Sequence, residues 1–332
     1  MIRIASLVAS FALLAMSGAC NAGPPSQPLP LRLVKDIPLG QSTRRYDYES
    51  FDPRTGLLFL GDLAGGRVLV IDPKAGKLVK AIPAVDGAHG VLAVPEQGRV
   101  YASATSKDEV ATIDEATLSV IARVPAGHYP DGIAWMPALN KLYVSDEHGQ
   151  TVGVIDAATN KLVTKIAIKG DVGNTQYDTA DRLIYSNDQT ANTLVSIDPQ
   201  RDAIVGRWPL AGCRGAHGLL IDPSRHLAYI ACEDNSRLVT FLLREHKVLD
   251  IQPTGSDPDV MAADFGLKRL YVAGESGVVS AFDISADVPR KIGEAKIADN
   301  AHVVAVDQGT HQVFFPLRDV DGKPVLRVMG PD

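Results

Sequence analysis

Six residues hold the same place in an internal repeat and carry only two chemistries. Asp47, His89, Asp131, His217, Asp259 and His302 each lie 12 residues before an aromatic residue set in an apolar run, and the seventh equivalent position is Gly173. Their contexts are alike, as in Ala88-His89-Gly90, Ala216-His217-Gly218, Pro130-Asp131-Gly132 and Pro258-Asp259-Val260. Unselected surface variation would scatter Ser, Lys, Gln and Asn among such positions. Neutral imidazole and carboxylate are ligands for zinc, copper, nickel or manganese, and a neighbouring Asp orients a ligating His. The same pair of groups can move protons as acid and base. It can also simply line a water-filled channel, each His hydrogen-bonded to its Asp. All three uses are open from the residues alone.

The elements that position these residues follow from the aromatic anchors. Phe59, Tyr101, Tyr143, Tyr185, Tyr229, Tyr271 and Phe314 recur at gaps of 42, 42, 42, 44, 42 and 43 residues. Each sits in a short apolar run, such as RVYASA from Arg99, KLYVSD from Lys141 or RLYVAG from Arg269. A turn with Asp, Pro or Gly precedes the run. A polar loop, a VxVID-like run (Val68 to Asp72, Val152 to Asp156), a second turn and a KLVxKI-like run follow. Four short β-rich runs per unit, separated by turn chemistry and without helical period, predict one propeller blade per repeat. The expected fold is all-β: a seven-bladed β-propeller with four antiparallel strands per blade.

Ring closure has its own signature. The last unit has a third strand near Val325 to Met329 and no fourth. Leu33-Val34-Lys35-Asp36-Ile37-Pro38 matches the first blade's fourth strand, Leu78-Val79-Lys80-Ala81-Ile82-Pro83, at five of six positions. The N-terminal strand is therefore expected to complete the last blade, with Leu33, Val34 and Ile37 buried, making residues 31–332 one domain. Winding the blades in order places Asp47, His89, Asp131, His217, Asp259 and His302 around one channel mouth. His302, Asp47 and His89 come from neighbouring blades and are the expected metal-ligand group, with His217 and Asp259 completing the ring. The loops between second and third strands share that face and are acidic: Asp62, Asp108, Glu147, Asp188, Glu233, Glu275 and Asp319. Arg44, Arg45, Tyr46, Tyr48, Tyr129 and Arg214 flank the mouth and could grip an anionic or ring-shaped ligand.

Residues 1–22 read as a signal peptide. Arg3 precedes an apolar run from Ile4 to Met16, too short for a membrane span, and small residues follow. Cleavage after Ala19 or Ala22 would give a soluble exported form, and Cys20 sits where a bacterial lipobox would place a lipid anchor. Residues 23–30 are a Pro-rich linker. The chain is thus expected in the periplasm or otherwise exported, with no transmembrane span once the leader is removed. In that oxidising setting Cys213 and Cys232 can form a disulfide.

Units reading RLYVS–x–VxVIDxxTxKLVxxI resemble the YVTN-type seven-bladed propellers of exported and surface proteins of bacteria. The resemblance covers the chain after the leader and implies a binding or scaffold protein. Its partner would be a small ligand or a protein at the mouth, with zinc or copper as a candidate cofactor. The same architecture also carries metal-dependent lactonases and streptogramin-type lyases, the alternative reading as an enzyme. Three His in the ring count against calcium, which prefers oxygen shells. No GxSxG elbow, HExxH helix or phosphate loop occurs in the chain. A net charge of −6 over 332 residues, and no run of four Lys/Arg, argue against nucleic-acid or anionic-membrane binding.

Overall fold

Turn residues at fixed offsets break the chain into short strands, and the strands pair with their sequence neighbours. A computed structural model describes residues 27–41 and 43–332. It contains 28 strands in seven separate four-stranded antiparallel sheets. The first blade is β2 (Glu49–Asp52), β3 (Leu57–Asp62), β4 (Arg67–Asp72) and β5 (Lys77–Ile82), hydrogen-bonded in that order. Five further blades repeat it. The only helical pieces among the described residues are four three-residue 3₁₀ turns. The leader, the Cys20 anchor site and the start of the Pro-rich linker lie outside the described residues.

The blades are held by what lies between them. There are seven hydrophobic clusters, one at each blade-to-blade interface. Each holds one aromatic anchor, buried between its own blade and the next. Phe59 packs with Val91 and Val100 of the second blade, Tyr143 with Val172 and Ile184 of the fourth, and Tyr229 with Met261 and Leu270 of the sixth. The seventh interface closes the ring, where Phe314 packs with Leu58 and Leu60 of the first blade. All seven anchors are at most 1% exposed. Three of the anchor Tyr hydroxyls find acceptors in turns: Tyr143 Oη donates to Asp202 Oδ1 at 2.5 Å, Tyr101 Oη to Gln97 Oε1 at 2.6 Å and Tyr185 Oη to Asp181 Oδ2 at 3.1 Å.

The last blade is completed by β1 (Leu31–Pro38), antiparallel to β28 (Lys323–Pro331) with Ile37 opposite Leu326 and Pro38 opposite Val325. The closing strand is where the sequence places it, but its burial differs from expectation. Ile37 is 1% exposed, whereas Leu33 and Val34 are 53% and 41% exposed. An outermost strand has one face against its blade and one toward solvent, and a bulge between Leu33 and Lys35 shifts the register there. Ile121, Val163 and Val205, on the outermost strands of other blades, are likewise exposed. The end of the linker is docked too. Gln27 O accepts the Glu294 amide at 2.9 Å, Arg269 donates to Pro30 O at 3.0 Å, and Leu29 is buried against the sixth and seventh blades.

Ile37→Ala should cost about 3 kcal/mol through lost burial and a cavity, and Leu33→Ala less than about 0.5 kcal/mol, both read from urea unfolding midpoints. Equal costs would mean that β1 does not close the ring in this register. Cys213 and Cys232 are bridged, with Cα atoms 5.4 Å apart across 19 residues. The Cys213→Ser/Cys232→Ser double variant should lose about 3 kcal/mol, from the entropy the bridge removes from the unfolded chain. Unchanged stability under oxidising and reducing conditions alike would argue against the bridge.

Candidate functional site

Local backbone geometry turns the six ring residues inward. The innermost strands of the second to sixth blades break register with their partners around the ring position, between Ala88 and Val91, Pro130 and Ile133, Val172 and Thr175, Ala216 and Leu219, and Pro258 and Met261. Such a bulge re-aims a side chain that a regular strand would turn elsewhere. Asp47 and His302 lie just before the innermost strands of their blades. Five of the six residues are at most 5% exposed, and His217 shows 12% of its side chain.

The residues form a circuit of facing pairs, open between His217 and Asp259, whose ligand atoms lie within 4.8 Å of one another. His89 Nε2 is 3.0 Å from Asp47 Oδ2, and its Nδ1 is 3.2 Å from Asp131 Oδ1. Asp131 Oδ2 lies 3.4 Å from His217 Nε2, passing the fourth blade. That blade contributes Gly173, where a Cβ would sit 2.7 Å from the His217 carbonyl oxygen and 2.8 Å from that of Ala216. The gap in the ring is thus a packing requirement. His302 Nδ1 donates to Asn300 O at 3.0 Å, leaving Nε2 facing Asp47 Oδ2 at 3.7 Å and Asp259 Oδ2 at 3.9 Å.

Loop residues finish the site. Glu233 Oε1 is 2.8 Å from His217 Nδ1, and Gln189 donates to Glu233 Oε2 at 3.0 Å. Arg45 bridges Asp47 at 3.0 Å and Glu275 at 2.7 Å. Sequence reasoning put the acidic loops on this face but did not single out Glu147, Glu233 or Glu275; their signal was position alone. The cup they enclose has a volume of about 250 Å³ and is walled by Tyr48, Tyr129, Glu147 and Asp259, among others. Tyr129 lies edge-on to His89 and close to His148. Tyr48 reaches across the channel, its hydroxyl donating to Asn174 Oδ1 at 2.6 Å. Below that bar the channel continues as a larger cavity of about 470 Å³, walled by apolar residues such as Val91, Ile133, Val260 and Val304 and by polar ones such as Ser50, Thr175 and Gln176. The larger space is not where the ionisable groups converge. Arg44 and Arg214 lie outside the cup lining, and Tyr46 is buried in the interface between the first and last blades.

Two groups of three ligand atoms converge within 4.8 Å at this mouth: His217, Glu233 and Asp259, and Asp259, Glu275 and His302. Asp259 belongs to both. Its Oδ1 has no hydrogen-bond partner, and neither do His217 Nε2 and His302 Nε2. His89 Nδ1 and both Asp131 oxygens lack partners as well, but His89 is in neither group. A third group, Asp178, Asp181 and His226, lies among the turns of the opposite face.

The charges are strongly coupled. Burial disfavours the His89 cation, but Asp131 and Asp47 outweigh it and lift the ring to about 9. Burial likewise opposes His217, and Glu233, Asp259 and Asp131 lift it to about 10. Burial pushes the Asp259 carboxyl up to about 7 despite His217 and His302 nearby. Burial would also raise Asp47, but His89 and His302 hold it well below the usual carboxylate range. The pairs on His89 and His217 are therefore charged on the imidazole side near neutral pH, while Asp259 takes up a proton more readily than an ordinary carboxylate.

The fold and this mouth define a seven-bladed β-propeller with a His/carboxylate cup at one end of its channel. Solved structures agree on the fold. The chain is similar to Kuenenia stuttgartiensis hydrazine synthase at 15% identity and a TM-score of 0.71, over 84% of this chain and 94% of that one. It is similar to the WD40 repeats of RRP9 (9% identity, TM-score 0.76, 91% and 100% covered) and to U3-55K (9%, 0.75, 92% and 99%). These neighbours are seven-bladed β-propellers, and at such identities the likeness shows the fold alone. No family model and no curated protein matches the chain. Among the described residues no helix is long and apolar enough to cross a membrane.

The His89 and His217 pKa values set a pH dependence. Both are raised above the unfolded value near 6.5, so their contribution to stability is fully present below about pH 6.5 and is lost as pH rises through about 9 and about 10. Side-chain NMR of the metal-free protein should show both imidazoles still protonated at pH 8. Titration of either near pH 6.5 would mean that its pairs with the carboxylates are not formed.

Proposed function

We propose that this protein is an exported, YVTN-type binding propeller whose mouth takes up one divalent transition-metal ion, zinc or copper. The observation that carries the reading is Asp259, a carboxylate only 3% exposed with an unpartnered oxygen, which shares one ligand group with His217 and Glu233 and another with Glu275 and His302, whose Nε2 also lacks a partner. A buried, unpaired polar atom is costly, and a cation held among these groups would satisfy it. His217, Glu233 and Asp259 supply one nitrogen and two carboxylate donors, a set suited to a borderline divalent ion. Asp131 faces the other side of His217 and would orient it, as Gln189 orients Glu233. His89 and Asp47 extend the circuit and hold Asp131 and His302 in place.

The cup is larger than a bare ion and leaves room for a small ligand beside the metal, against Tyr48, Tyr129 and Glu147. Export is supported by the disulfide between Cys213 and Cys232, a bond at home in oxidising compartments.

Zinc and copper titrations of the metal-free protein by calorimetry test the metal reading. Asp259→Asn and Glu233→Gln should each weaken binding by about tenfold or more, and His311→Ala, on the opposite face, should leave it unchanged. Binding at pH 7 should release a proton from His217, seen as a dependence of the heat on the buffer, and affinity should fall as pH is lowered. Equal binding by all four proteins would leave the mouth a solvated polar channel.

A further inference from the structure

The two ligand groups at Asp259 are not equivalent, and Arg45 is the difference. Counting 14 residues back from each aromatic anchor gives Arg45, Gly87, Tyr129, Asp171, Gly215, Asp257 and Asn300, so only the first blade places a cation there. The Arg45 side chain is two-thirds covered, with Nε 3.0 Å from Asp47 Oδ2 and Nη2 2.7 Å from Glu275 Oε1. Its guanidinium therefore joins the first and sixth blades. Glu275 is the only loop carboxylate of the Asp259–Glu275–His302 group, and Asp47 faces the His302 nitrogen of the same group at 3.7 Å. A fixed positive charge already lies on the donors a second ion would need. The His217–Glu233–Asp259 group has no Lys or Arg in ion-pair contact among the described residues; Glu233 is met by His217 and the neutral Gln189.

We propose that Arg45 is a tethered cation that fills the second of two adjacent cation positions and so limits the mouth to one divalent ion. The inference rests on the metal reading above. Asp259 has two carboxylate oxygens and is a member of both groups, so a shared carboxylate could bridge two ions, as carboxylates do in two-metal centres. A guanidinium beside the second position makes that arrangement unfavourable, because like charges repel strongly where water is scarce. Bound at His217, Glu233 and Asp259, a single ion keeps Asp259 and His302 oriented by the rest of the circuit. Its free coordination positions open to the cup. Arg45 thereby acts as a specificity-determining residue, setting metal stoichiometry rather than ligating the metal.

The test is the number of zinc ions bound by the purified full chain, read by calorimetric titration and by metal analysis after desalting. The expected stoichiometry is one for the natural protein, two for Arg45→Met and one for Arg45→Lys, which keeps a charge. The double variant Arg45→Met/Glu275→Gln should return to one, because the second position loses its loop carboxylate. Glu275→Gln alone, in which Arg45 keeps Asp47, should still bind one ion and covers the case in which Arg45→Met fails to fold. One ion in a folded Arg45→Met, two in the natural protein, or loss of the ion in Glu275→Gln would each overturn the proposal. No ion in the natural protein but one in Arg45→Met would overturn the metal function and leave Arg45 as the tethered cation. No ion in either would overturn both.

Discussion

Each blade buries its second-strand aromatic against the blade that follows it, and no blade completes a core alone. Phe59 needs the second blade, Tyr101 the third, and so on to Phe314, which needs the first. A chain of such dependencies has an unsatisfied face at each end unless it closes. Closure here is made twice, by Phe314 packing on Leu58 and Leu60, and by β1 pairing with β28. The roughly 42-residue spacing is the sequence trace of this constraint, because a blade with a displaced anchor would leave a hole at its interface with the next blade. Outer strands bear less of the load, so Leu33, Val79 and Val163 tolerate exposure.

The chemistry of the mouth is a consequence of that ring. The innermost strands line the channel, and one side chain from each blade except the fourth, which has Gly173, turns inward at the mouth, in four of these blades at a register break. Charges brought so close in a poorly solvated space must pair, and alternation of His with Asp lets each imidazole lean on two carboxylates. His89 faces a carboxylate at each nitrogen, at 3.0 and 3.2 Å. Around Asp259 the spacing is looser: His302 Nε2 stands 3.7 and 3.9 Å from its two carboxylates, and Asp259 Oδ1 has no partner. Arg45 and the loop carboxylates Glu233 and Glu275 decide how much positive charge that region can still accept. The Tyr48–Asn174 hydrogen bond spans the channel between this cup and the larger cavity beneath it.

Much of this was legible in the sequence, because a repeat states its own geometry. Seven anchors at near-constant spacing gave blade number, strand order and the ring positions, and the LVKDIP match located the closing strand without any knowledge of packing. The nearness of Cys213 and Cys232 across one hairpin was legible for the same reason. What the spacing could not convey was direction and distance between blades. Tertiary structure alone decided that Leu33 and Val34 face solvent while Ile37 is buried, since periodicity does not say which face of an outermost strand is covered. It decided that Asp131 reaches past Gly173 to His217, because only the close approach of the His217 backbone shows that no Cβ fits there. It also moved the candidate ligand groups from His302, Asp47 and His89 toward Asp259 with Glu233 and Glu275. Equivalent positions look equal along a chain, and they become unequal only when loops from other blades deliver carboxylates to some of them and a guanidinium to others.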